Sequence, residues 1–250
     1  MRKKKKRFAA KPAALLTIAA LLLLFSAVGS ARAALLYYSE NYAAQVTVSN
    51  IGVTLMENET AVGYRDYRHK DDAWNEASGT LLSALEEQEE GLLPGKEYPE
   101  RLAVKNSGSI DTYVRVIVRK SWVDADGRDT TLSPALIDLH FCENGWILDA
   151  DASTAERTVL YYAKPLTAGE STGDLTDSFR IDPAICSKVE QSVTEENGAQ
   201  TITMAYAYDG MRARLDAEAD AVQTHNAKDA IKSAWGVDVE IAADGRLQLK

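Results

Sequence analysis

The feature that most constrains this chain is its punctuation. From Leu92 onward, clusters of Gly, Pro, Asp and Asn cut it into short runs in which β-branched and aromatic residues alternate with polar ones. Successive side chains of an extended chain point to opposite faces, and branched or aromatic side chains fit a pleated surface, so such runs read as strands. The strongest spans residues 112–122, where Val114, Val116 and Val118 face one way and Tyr113, Arg115, Ile117 and Arg119 the other. Pro94-Gly95 opens this region as a turn, residues 101–105 read as a strand and residues 106–109 as a turn. Residues 101–105 and 112–122 are therefore expected to pair as an antiparallel hairpin, ended by the turn residues 124–127.

Further strands are expected at 137–142, 146–148, 158–163, 178–181, 188–194, 200–208 and 212–223. In the last, Ala213, Leu215, Ala217, Ala219 and Ala221 alternate with polar residues, so period two outweighs the helix propensity of alanine. Residues 226–236 read as a short helix with Asn226 as N-cap and Gly236 as its stop, and 237–249 as a terminal hairpin around 243–245. Earlier, residues 45–56 read as a strand kinked at 50–52. Many short strands, few helices and no βαβ alternation predict a mainly β chain folded as a β-sandwich.

Residues 57–91 break the pattern, being acidic and free of proline. Within 73–90, Trp74, Ala77, Leu81, Leu82 and Leu85 recur at helical spacing until Gly91. The spacing predicts an inserted acidic helix lying across a sheet edge; the alternative is a solvated loop with a nascent helical turn.

The first 33 residues have the grammar of a secretory leader: a basic stretch from Arg2 to Arg7, an apolar run over 13–28, and the small-x-small site Ala31-Arg32-Ala33. A spanning helix needs about 20 apolar residues at 1.5 Å each, so this run favours cleavage after Ala33 by a signal peptidase over a retained anchor. Ala34 then becomes the first residue, 34–250 a single domain, and the uncleaved leader the only membrane contact. All eight charged residues of the leader are basic. Its loss leaves 20 of the 28 basic side chains against 37 acidic ones, a net charge of −17 in place of −9. Such a surface repels nucleic acid and anionic lipid. The two cysteines, Cys142 and Cys186, are too few to staple a small scaffold; an oxidising destination permits one bridge between them, the alternative being two unlinked thiols.

Reactive chemistry finds little purchase. His69, His140 and His225 are isolated, and no H-E-x-x-H places two imidazoles on one helix face for zinc. His140, beside Phe141, is expected to be a half-buried strand residue, and His225 to be capping or exposed. Cys142 lacks a nucleophile signature, and there is no G-x-S-x-G, P-loop or G-x-G-x-x-G. Residues 124–129, echoed by Asp149 to Asp151, look like half a calcium loop. The sixth and twelfth positions hold Asp129 and Ala135 where Gly and Glu are required, so a hydrated turn is expected. The pairs Tyr37-Tyr38 and Tyr161-Tyr162 are read as cross-strand packing over partner contacts. No enzyme activity, cofactor or metal site is expected.

Four stretches, "ALLYYSENYAAQVTVSNIGVTLMEN", "LLPGKEYPERLAVKNSGSIDTYVRVIV", "VLYYAKPLTAGESTGDL" and "DAVQTHNAKDAIKSAWG", with the leader before them, resemble the TasA/camelysin family of exported Gram-positive proteins in their order and spacing. The resemblance spans the leader to about Trp235, apart from the 57–91 insert. It implies a jelly-roll-like sandwich, an alternative signal peptidase, and a place at the cell surface or in the biofilm matrix. In some members it further implies fibres in which the N-terminal segment of one subunit completes the sheet of the next. Residues 34–48 would be that donor here, unless they fold back onto their own domain. A structural or adhesive role is thus expected, ahead of a monomeric binding module and of a camelysin-like peptidase.

Overall fold

The computed structural model describes residue 14 and residues 16–22, 50–68, 73–86, 92–196 and 199–250. The chain divides into two units, Met1–Thr47 and Val48–Lys250. In the first, residues 16–22 are helical and exposed. No helix among the described residues is long and apolar enough to cross a membrane. The leader residues Ala31, Ala33 and Ala34, the Tyr37-Tyr38 pair, residues 45–49 of the first expected strand, and His69 lie outside the described residues.

In the second unit, β1 (Gly52–Glu57) turns tightly into β2 (Thr60–Arg68). Asn58 and Glu59 make the two-residue turn with φ of 47° and 71°, the left-handed pair that matches the twist of a tight hairpin. β3 (Ala73–Ser78) pairs with β2, and β5 (Leu102–Asn106) with the other flank of β1, giving the order β3-β2-β1-β5. This corrects the expected helix over 73–90. Residues 73–78 are a strand, and among the described residues of this span only Ser83–Glu86 is helical; 87–90 lie outside the described residues. The helical spacing misled because it merged two things: Ala77 is exposed on β3, while Leu81, Leu82 and Leu85 turn into the core from the bend and single helical turn that follow.

β4 (Glu97–Pro99) and β8 (Ile137–Phe141) flank β11 (Thr176–Ile181) in a second sheet. Backbone bonds from Leu175 to Leu102 (2.6 Å), Thr172 to Val104 (2.8 Å) and Asn106 to Glu170 (2.8 Å) stitch this sheet to β5, so the two form one bent layer. The facing layer has the order β14-β6-β10-β9, from β6 (Thr112–Val123), β9 (Trp146–Leu148), β10 (Arg157–Tyr162) and β14 (Arg212–Gln223), with β7 (Arg128–Asp129) pairing the end of β6.

The expected hairpin between residues 101–105 and 112–122 does not form, because β5 and β6 lie in opposite layers. The chain arches between them, and buried Asn106 holds the arch. Its Nδ2 donates to the carbonyls of Ile110 and Leu166 at 2.8 Å each, and its Oδ1 accepts from Gly108 N at 2.9 Å.

Val53, Leu55, Leu102, Val104, Phe179 and Ile137 of the bent layer meet Val114, Val116, Val118, Leu160 and Leu215 of the facing one. The other face of β6 and β10 is also covered. Tyr113, Ile117, Val159 and Tyr161 pack on Ala227 and Ile231 of the helix Ala227–Trp235, and on Val239 and Leu247 of the terminal hairpin β15 (Val239–Ile241) and β16 (Leu247–Leu249). Gly236 stops this helix in the left-handed conformation at φ 74°, as expected, but Asn226 is itself left-handed and its side chain makes no capping bond. β12 (Val189–Glu196) and β13 (Ala199–Tyr206) form a separate two-stranded sheet. The chain is thus a mainly β, sandwich-like protein with an inserted helix and a short C-terminal helix.

Cys142 and Cys186 are free thiols. Cys142 follows the end of β8 that pairs with Thr176, whereas Cys186 follows Ile181, which pairs with Ile137 at the other end. The length of β8, roughly 13 Å at 3.3 Å per residue, separates the two positions. A bridge needs Cα atoms within about 7 Å, so the candidate disulfide is not formed.

Candidate functional site

β14 is an edge strand. It pairs with β6 along its whole length and, among the described residues, with no strand on its other flank. The opposite layer runs past it, since β14 packs over β1 and β2 and the sheet order carries β3 one strand further out. A cleft of about 510 Å³ results, lined by Val53, Leu55, Gly63, Arg65, Ala217 and Ala219 among others. Small residues make it. Ala217, Ala219 and Ala221 occupy the inner face of β14 beside Val118, Val116 and Val114 of β6, and Gly63 stands beside Leu55. Methyl groups on the edge strand leave open the gap that valines close one strand further in.

One side chain crosses the open flank. Arg65 shares the inward face of Val53, yet its Nη1 reaches Glu218 (3.3 Å) and Asp220, which alternate with the inward alanines and so lie on the outer face of β14. Its Nε also meets Glu76 at 3.1 Å. Burial pulls the Glu218 carboxyl upward, but hydrogen bonds and charge from Arg119 and Arg65 outweigh it and hold the group below its ordinary range. Charged side chains on an edge are a common guard against unplanned pairing; here the guard sits near 218–220 and leaves 212–217 unstrapped.

A buried carboxyl pair anchors the 57–91 insert to the body. Glu57 Oε1 accepts from Leu82 N at 2.6 Å, and Asn58 Nδ2 donates to Glu100 Oε2 at 3.2 Å. Burial first, and the neighbouring Glu57 carboxyl second, push Glu100 up to about 8.

The remaining sequence candidates fall as follows. His140 is exposed, not half-buried, because β8 borders its sheet and Ile137 and Leu139 take the inward positions. Its Nδ1 lies 2.8 Å from Asp177 Oδ1, and the donor atoms of His140, Cys142 and Asp177 fall within 4.8 Å of one another. Hydrogen bonds from His140 and then Ser178 hold Asp177 below its ordinary range, while burial and then the Asp177 charge push the Cys142 thiol up. His225 is exposed. Residues 124–127 bend as expected, Asp124 Oδ1 accepting from Asp126 N and Gly127 N, but Arg128 and Asp129 pair with β6 as β7, and Asp129 Oδ1 accepts from Thr131 N and Leu132 N in the turn beyond. Asp149 Oδ1 caps Ala152 N in the same way. Tyr161 is buried against Trp235, and Tyr162 packs edge-on to its cross-strand partner Trp146 at 5.2 Å.

Sequence reasoning missed Arg65, Glu218 and Asp220, which sit in ordinary charged strand positions, and Asp177, which reaches His140 only through strand pairing. The sequence matches no protein-family model, no curated protein and no solved structure. The class defined by fold and site is a layered antiparallel β protein with one long strand edge open over a cleft.

Proposed function

We propose that this chain is an exported structural or adhesive protein that associates through its sheet edges, with residues 34–48 of one copy adding as a strand alongside β14 of another. The observation that carries this reading is the unpaired flank of β14 above the cleft floored by β1–β3. An extended segment laid along such an edge satisfies its free N–H and C=O groups, and alternate side chains fill the trough below. Ala217 and Ala219 leave room there, and Val46 and Val48 alternate with polar residues in the donor. Cleavage after Ala33 would free that donor at the cell surface, and the resemblance to TasA/camelysin proteins fits the same reading.

Sedimentation of the chain beginning at Ala34 against one beginning at Asn50 tests it. The longer chain is expected to form concentration-dependent assemblies. The shorter one is expected to stay monomeric, and Ala217→Glu, which sets a carboxylate in the trough, to block assembly of the longer chain. Monomers from both chains at every concentration would overturn the proposal.

A second reading, a monomeric binding module, is favoured by the β12–β13 hairpin. Val189, Val193, Ile202, Met204 and Tyr206 are all exposed and, from the register, share one face. Exposed apolar faces of this kind mark contact surfaces. A stable monomer under all conditions would leave this reading in place.

A further inference from the structure

The geometry points to a metal site on the outer face of the β8 edge, where His140, Cys142 and Asp177 offer one nitrogen, one sulfur and one oxygen donor to a single divalent ion of the zinc class. The backbone brings the three together. His140 and Cys142 are two residues apart along β8 and its continuation, so both side chains leave the same face. Across from them, the pairing of β11 with β8 slips between Thr176 and Ser178, and the extra residue is Asp177. A bulge re-aims a side chain out of strict alternation, and this one sets the Asp177 carboxylate against the imidazole. Asp177 is also fixed from behind, its carbonyl accepting from Glu100 N at 3.0 Å.

The donor set narrows the ion. Calcium and magnesium take oxygen ligands, whereas thiolate with imidazole and carboxylate suits a borderline ion. Tetrahedral zinc with bonds near 2.0–2.3 Å separates its donors by roughly 3.3–3.6 Å. His140 Nδ1 and Asp177 Oδ1 are 2.8 Å apart and all three donors lie within 4.8 Å, so small rotations of two exposed side chains suffice. His140 is 67% and Asp177 50% exposed, which leaves a coordination position open to solvent. Asp174 adds a further negative charge near the thiol.

The same atoms do not make a nucleophile and base. Imidazole Nδ1 and thiol both address Asp177, and burial, then Asp177 and Asp174, favour the protonated thiol, the reverse of an activated cysteine. A bound ion must displace that proton, so binding is expected to release a proton and to weaken as pH falls. The site is at the far border of its layer from β3, so it stands or falls independently of strand addition at β14.

Titration of the intact chain with Co2+ alone, under reducing and mildly alkaline conditions, reads the site through the thiolate-to-metal charge-transfer band. One equivalent is expected to bind, and Zn2+ to displace it. Cys142→Ser is expected to abolish the band and His140→Ala and Asp177→Asn each to weaken binding about tenfold or more, while Cys186→Ser, which removes the other thiol, leaves it unchanged. Absence of the band in the intact chain, or its persistence in Cys142→Ser, would overturn the assignment.

Discussion

Glu100 is 1% exposed and carries a pKa of about 8, raised by burial and then by the adjacent Glu57 carboxyl. Between the ordinary carboxylate range and about pH 8, the folded chain keeps a proton that the unfolded chain has released. Stability therefore falls as pH rises through that window, by up to about 1.4 kcal/mol per unit, and falls no further above the folded pKa. Glutamine is neutral at every pH, so Glu100→Gln is expected to unfold at higher denaturant than the parent near about pH 9 and to lose that advantage near about pH 5. Denaturant melts across pH check this, and a parent profile that stays flat through the window would refute it. Asn106 makes a similar case without charge. Asn106→Leu keeps the branched shape but leaves the Ile110 carbonyl without its donor, while the Leu166 carbonyl keeps Thr112 N and Gly108 N keeps the Gly52 carbonyl, so a loss of about 1–3 kcal/mol is expected in urea melts. The sequence marks Asn106 as a turn residue through its Asn-Ser-Gly step; it cannot say that the amide bridges two layers, because Leu166 arrives from elsewhere in the chain.

Individual strands were legible where one face is apolar and turns bound them. Residues 212–223 match β14 at both ends, and the two faces of 112–122 separate into the two cores as the alternation predicts. Pairing was not legible: a short turn favours a hairpin locally, but β5 gains β1 and the 169–175 segment as neighbours, and those long-range bonds decide its layer. The 73–90 helix failed for the same reason, since pairing with β2 overrides local propensity. In the metal cluster, the spacing of His140 and Cys142 was visible and the bulge that brings Asp177 was not. Two outcomes belong to this scale. Ile231 is fully buried and is the main apolar link from its helix to the outer core, so Ile231→Ala is expected to cost about 2–4 kcal/mol in denaturant melts. Arg65→Ala removes a partly exposed strap worth at most about 1 kcal/mol, so stability should barely change. On the strand-addition reading, unstrapping the edge should speed assembly several-fold; light scattering that shows no gain would count against β14 as the acceptor.

At the scale of the whole molecule, association has to overcome like charge. The chain carries a net charge of −9, and −17 from Ala34 onward, while the donor segment 34–48 contributes a single charge, that of Glu40. Strand addition draws its energy from hydrogen bonds and apolar contacts that act only at touching distance. The repulsion between two acidic bodies acts over the Debye length, which shrinks from about 30 Å at 0.01 M salt to about 8 Å at 0.15 M. Salt should therefore promote assembly, raising both its rate and its extent over this range. An interface built on complementary charge would behave in the opposite way, because screening removes its attraction. Light scattering of the chain beginning at Ala34, followed as salt is raised, separates the two. Assembly that strengthens with salt and is lost with residues 34–48 is the outcome expected of edge pairing, whereas assembly that dissolves with salt would assign the contact to the charged surfaces.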